Sequence, residues 1–222
     1  MSTFSVNLLE QLTLEDSPKM LESYLSQRSG RHFETFQVSE NKPNEITPSD
    51  LLAVSQLSMK IGGYNVRDSI SEKAVIKLFE KNIQAKIAKS LGHIKPNWSL
   101  ETISSKDLKI FNDAIAKLWP ILTKEVGLKK VATFKLLARK RPHMCPIRDS
   151  FAERALGKPK DWYASWQDAF KQESNIVSKL EELRNGHPGA KHLSLLRVAD
   201  IIIWERQAPK TESHSIQLSA LQ

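Results

Sequence analysis

Apolar residues along this chain recur at helical spacing, and capping residues, prolines and glycines punctuate them. Ser17-Pro18 opens a helix running to Arg28, with Met20, Leu21, Tyr24 and Leu25 on one face and Ser29-Gly30 at its end. His32–Val38 alternates weakly and predicts a short strand; Ser39–Glu45, polar and carrying Pro43, is a loop. Thr47-Pro48-Ser49-Asp50 is a helix start, with proline in the first turn beside capping side chains, and it predicts a helix over Leu51–Met59 stopped by Gly62-Gly63. Ser69 or Ser71 begins the next, whose Ala74, Val75, Leu78, Phe79, Ile83 and Ile87 share one stripe, and Gly92 and Pro96 close it.

Ser104 starts a further helix, striped by Leu108, Phe111, Ala114, Ile115, Leu118 and Trp119, which Pro120 kinks or ends. A short piece, Ile121–Lys124, leads to a turn at Gly127. Val131–Arg139 then reads as a helix with Val131, Phe134, Leu137 and Ala138 inward and Lys135 and Arg139 outward. Pro142 and Pro146 exclude regular helix between them. Asp149 or Ser150 caps a helix through Leu156, with Gly157 in the stop position. Trp162–Asn185 predicts one long helix, Asn185–Gly189 a break, and Leu193–Trp204 a strongly apolar last helix. With about eight helices and at most a short strand pair near 32–38, the expected class is all-α. Residues 1–206 read as one helical domain and 207–222 as a flexible polar tail.

The 222 residues are enough for a core without staples, and 33 Lys+Arg against 25 Asp+Glu give a net charge of +8, which permits contact with nucleic acid or another acidic surface. A single cysteine, Cys145, excludes an intramolecular disulfide and a four-cysteine metal or iron–sulfur centre. The six histidines show no metal-ligand spacing, and no cofactor is expected. The N-terminus lacks a basic start followed by an apolar run, and no apolar stretch approaches a membrane span, so a cytoplasmic monomer without membrane contact is the expectation.

The chemistry concentrates in Val126–Gly157. A glycine turn between helices lets backbone amides approach a phosphate, and Lys129 and Lys130 would add charge there. Lys135, Arg139, Lys140 and Arg141 place four cations in seven residues, a run that fits either a DNA backbone or a solvated face. Asp149 at a helix start is either a plain cap or a carboxylate able to stabilise a sugar cation as a base departs. His143 in the preceding loop and Trp162 and Trp166 beyond it are candidate walls for an extruded base.

This segment resembles the helix-hairpin-helix DNA glycosylase superfamily, which includes the endonuclease III-like enzymes. Gly127, Lys129, Lys130 and Ala132, then Leu136-Leu137, then Ile147-Arg148-Asp149-Ser150 and Arg154 fall in the family's order. The chain departs from it in having the single Gly127 where the family has Gly-x-Gly, and in lacking the cysteine cluster of some members. The resemblance implies that Asp149 is the catalytic carboxylate and that Gly127, Lys129, Lys130, Lys135, Arg139, Lys140, Arg141 and Arg148 meet DNA. It also implies that the product is an abasic site, in repair or in defence against phage with modified bases. In some members a hairpin lysine attacks the sugar; Lys130 fits that role by its distance to Ala132, and Lys129 by its distance from Gly127. GRHFE (30–34), TPSDLLAVSQLS (47–58), KLLARKRP (135–142) and LSLLRVADIIIW (193–204) also resemble a group of uncharacterised bacterial proteins. The alternatives are a non-catalytic helix-hairpin-helix DNA-binding protein and a helical interaction domain whose basic face only solubilises it.

Overall fold

Side-chain caps set most of the helix starts in the computed structural model, which describes residues 1–38, 42–62 and 69–208. Ser2 accepts from the Ser5 amide and begins α1 (Thr3–Thr13). Helix α2 spans Ser17–Gln27. Thr47 and Asp50 exchange side chain-to-amide bonds in a capping box at the head of α3 (Pro48–Ser55). Ser71 caps α4 (Glu72–Leu78), which is followed by α5 (Lys81–Leu91). Ser104 caps α6 (Ser105–Pro120), which precedes α7 (Lys130–Lys140). Asp149 caps α8 (Ser150–Leu156), and Asp161 caps α9 (Trp162–Gln172). Helix α10 covers Ser174–Gly186, and Ser194 caps α11 (Leu195–Gln207). The protein is all-α, with one parallel pair of two-residue strands among the described residues, β1 (Lys60–Ile61) on β2 (Ser69–Ile70).

The helices pack in two sets. The middle of the chain supplies one, in which α3 lies on α7 and α5 on α6. The two ends of the chain supply the other, where α11 packs on α2, α8 and α10, and α1 on α8, α9 and α10. Helix α11 is the axis of this second lobe: Leu195, Leu196, Val198, Ala199 and Ile201–Ile203 are all buried. Phe4 of α1 meets Trp162 and Trp166 of α9 edge-on, each at 5.5 Å between ring centres, which locks the N-terminus into the lobe. The 147–149 segment passes between the lobes, and that crossing positions the site. No helix among the described residues is long and apolar enough to cross a membrane.

Four sequence expectations change. Helix α1 is absent from the pattern-based elements, although Phe4, Leu8 and Leu12 form its buried stripe. The segment 32–38 forms no strand: a 3-10 turn at Ser29–His32 runs into further turns, and the carbonyls of Phe33, Glu34 and Phe36 accept from Arg139 instead of from a ladder. The helix expected over 74–87 breaks at Phe79-Glu80, and the one expected over 162–185 breaks at Glu173. Both breaks keep the apolar phase, so Leu78 and Ile83, like Phe170 and Ile176, reach the core across them. Gln207 ends α11; the expected tail beyond Ala208, residues 39–41 of the expected loop and the Gly63 stop lie outside the described residues.

Candidate functional site

Pro120 has no amide hydrogen, and α6 ends on it. A π turn, Ile121–Glu125, follows, with the Val126 amide donating to the Ile121 carbonyl at 3.0 Å. Gly127 then takes φ +86° and the Leu128 amide donates back to the Leu122 carbonyl at 2.9 Å. A Cβ on Gly127 would meet nothing within 4 Å, so the position needs glycine for its backbone conformation and not for space. Lys129 precedes α7 and supplies no capping side chain. Lys129 and Lys130 are exposed beside the first amides of α7, and Gly127 forms a turn between the π turn and that helix.

The rest of the basic run is not a surface. Lys135, Arg139, Lys140 and Arg141 are all buried, against the expectation of an outward face that meets DNA. Arg139 Nε and Lys140 Nζ share Asp50 of α3, at 3.3 and 2.8 Å from its two oxygens. Burial pulls the Lys140 ammonium below its usual range, with Asp50 opposing. Arg141 spends its donors on the carbonyls of Ile94, Pro43 and Leu91 and on Asn44 Oδ1, at 2.6 to 2.7 Å. These three cations tie loops to α7 and are not available to a phosphate. Lys135 donates to the Leu57 carbonyl at 2.8 Å and lines an interior cavity.

That cavity, about 210 Å³, lies between the lobes, and Asp149 lines it. Asp149 Oδ1 accepts from the amides of Phe151 and Ala152, both at 3.0 Å, which fixes the carboxylate at the head of α8. Among the described residues Oδ2 makes no hydrogen bond, so the cap and a second role are compatible. Tyr24 and Trp204 supply aromatic wall, their rings edge-on at 5.7 Å. Arg28, beside them, is held by Glu205 at 3.0 Å. Arg197 and Asp200 of α11 form the floor as an ion pair through Nη1 and Oδ2. Arg197 Nη2 also donates to the Tyr24 hydroxyl at 2.7 Å and to the Gly30 carbonyl at 3.2 Å. A Cβ on Gly30 would stand 1.8 Å from that hydroxyl, so glycine is required there for close approach. Burial pushes the Asp200 carboxyl up to about 6; Arg197 and Lys135 pull it down, while Asp149 and Glu34 push it further.

Several expected site residues lie elsewhere. The 147–149 segment has no regular structure, with Asp149 itself extended, and Ile147 and Asp149 line the cavity while Arg148 lines a separate groove of about 480 Å³. Lys130 lines that groove too. Its Nζ binds Glu153 at 3.1 Å, and Arg148 Nε binds the same carboxylate at 2.7 Å, so the candidate nucleophile does not share a cavity with Asp149. Arg148 also lies 5.0 Å over Trp162. Trp162 and Trp166 are 2% exposed core residues, the first donating Nε1 to the Ile147 carbonyl; neither lines the Asp149 cavity. His143 stays in the loop, where its carbonyl accepts from the Leu100 amide and burial lowers its pKa.

The residues missed at first are Tyr24, Arg28, Arg197, Asp200 and Trp204. One signal existed: Arg197 and Asp200 stand three apart inside a run of otherwise apolar residues, and charge on a buried helix demands a partner or a purpose. Among the described residues no cluster of three or more His, Cys, Asp or Glu side chains converges as a metal site. No curated protein and no solved structure gives a significant match to the chain. Residues 17–207 match a family of unknown function, DUF6308, and with most of its length covered the chain belongs to that family.

Proposed function

We propose that the protein is a monofunctional DNA N-glycosylase, acting as a cytoplasmic monomer on a base turned out of the duplex into the Asp149 cavity. The observation that carries this reading is Asp149 itself. One of its oxygens is fixed by two amides, the other has no hydrogen bond among the described residues, and the residue lines a small interior cavity a short span of chain beyond a glycine turn between helices. Losing a base leaves positive charge on the sugar, and a preorganised carboxylate in a mostly dry site stabilises that charge strongly. The same oxygen can take a proton from the attacking water. Trp204, half-buried in the cavity wall, would offer aromatic surface to the base. The exposed Lys129 and Lys130 beside the amides of α7 would hold a phosphate without reading sequence.

The size of the cavity narrows the substrate. About 210 Å³ is below the roughly 300–1,000 Å³ usual for drug-sized ligands, and it suits one ring system better than a hypermodified base with a bulky substituent. This favours a repair-type lesion over a heavily decorated phage base. The test is a panel of genomic DNAs, unmodified, damaged and phage-modified, with abasic sites scored by alkaline cleavage. Release from at least one supports the reading; DNA binding with no release from any returns the chain to the non-catalytic alternative.

A further inference from the structure

Two carboxylates and two cations line the cavity, and a third carboxylate stands behind Arg197. Asp149 comes from the head of α8, Asp200 from α11 and Glu34 from the turn after α2; Arg197 comes from α11 and Lys135 from α7. Arg197 serves two of the acids: Nη1 binds Asp200, and Nε stands 2.6 Å from Glu34 Oε1, close enough for an ion pair though without hydrogen-bond alignment. Arg28, also on the cavity, is already engaged by Glu205 at 3.1 and 3.0 Å. Tyr24 faces the same cluster, and burial raises its phenol, so it stays neutral. With every group ionised, the cluster among the described residues carries one more negative than positive charge. Where these side chains are largely withdrawn from water an unmatched carboxylate is costly, and retention of one proton relieves it. Asp200 is the acid best placed to keep it. It is the one pressed by both other carboxylates, and burial pushes its carboxyl up to about 6.

We propose that Asp200 is a second catalytic carboxylate, which gives its proton to the departing base while Asp149 supports the sugar, so that the substrate is an uncharged base and not a cationic alkylated one. This rests on the glycosylase reading. The N-glycosidic bond breaks with its electron pair going to the base, and the Asp200 proton goes to an acceptor atom of that base, which leaves neutral. A water oxygen bonds to C1′ of the sugar, and its proton goes to Asp149. Exchange with solvent then removes the proton from Asp149 and returns one to Asp200. A base that already bears a positive charge leaves without this proton, so a carboxyl proton donor at Asp200 gives such a base no advantage.

The probes are the panel DNAs together with plasmid treated with dimethyl sulfate, whose methylpurines are cationic. Wild-type protein is expected to release a neutral base, with a rate that falls about tenfold per pH unit above the Asp200 pKa of about 6. Asp200→Asn, which keeps the size and a partner for Arg197, is expected to lose roughly 100-fold or more on that base near pH 6 and to lose the pH dependence. Asp200→Glu is expected to restore part of both. Wild-type rates in Asp200→Asn, or release of methylpurines alone, would overturn the proposal. Carbon-13 NMR of the aspartate carboxyls, assigned with Asp200→Asn, separates the two levels of inference. Base release without an Asp200 titration near pH 6 overturns the proton-donor role alone. Titration without release from any DNA overturns the glycosylase reading and the leaving-group role with it.

Discussion

The two ends of helix α7 carry the same kind of residue in opposite surroundings. At its start, Lys129 and Lys130 are exposed beside a glycine turn and the first amides of the helix. At its end, Arg139, Lys140 and Arg141 are buried and hold three loops and α3 in place. In between, Lys135 points into the cavity of Asp149. The difference is one of partners. The end of α7 meets a buried carboxylate and a set of loop carbonyls that match its cations, so these charges are enclosed with partners in place of water. A run of positive charge on a helix is therefore not evidence of a nucleic-acid surface until the acceptors around it are known.

The largest expected effect lies at the buried end. Asp50→Ala would leave Arg139 and Lys140 enclosed without their counter-charge and cost about 3–5 kcal/mol in a denaturant titration. A loss under about 1 kcal/mol would mean that these cations reach water and that the two ends are not different in kind.

The middle of α7 comes next, through pH. Asp200, which faces Lys135, is raised from its ordinary value to about 6, so its contribution to stability is complete below the unfolded value near 4 and is lost as pH rises through about 6. Stability of the wild type relative to Asp200→Asn should fall by roughly 1–3 kcal/mol over this range. A pH-independent difference would show that Asp200 is ionised throughout.

The exposed end gives the smaller effects on stability. Gly127→Ala forces φ +86° on a residue with a side chain and should cost about 1–2 kcal/mol, with no clash to add to it. Lys129→Ala together with Lys130→Ala should change stability by no more than about 0.5 kcal/mol, since the Lys130–Glu153 pair is half exposed. The same double variant should lower the salt slope of DNA binding by about 1–2. An unchanged slope would remove the hairpin from the DNA contact and leave α7 without a nucleic-acid end.

Local chemistry was readable from the sequence, and distant acceptors were not. Thr47, Ser71, Ser104 and Asp149 announce helix starts because a cap acts within three residues, and Gly127 marks a turn because its φ is its own property. Arg139 bonds carbonyls about a hundred residues away, and a carbonyl leaves no trace in residue type. The helix breaks at Glu80 and Glu173 preserve the apolar stripe, so periodicity runs through them. Of the site, Asp149 was legible through its cap. The placement of Lys130 away from it was not, because it depends on neighbouring residues of the 147–149 segment lining two different cavities. Arg197 and Asp200 were visible as charges in an apolar helix, but their cavity exists only where α2, α7, α8 and α11 meet.

The central claim is that Asp149 does chemistry beyond its cap. Asp149→Asn keeps an oxygen for the amides of Phe151 and Ala152 and removes the charge, so folding and DNA binding should hold. Single-turnover base release by this variant, measured beside the wild type on the most reactive DNA of the panel, should fall by roughly 100-fold or more. Release at the wild-type rate from a folded Asp149→Asn protein would contradict the account.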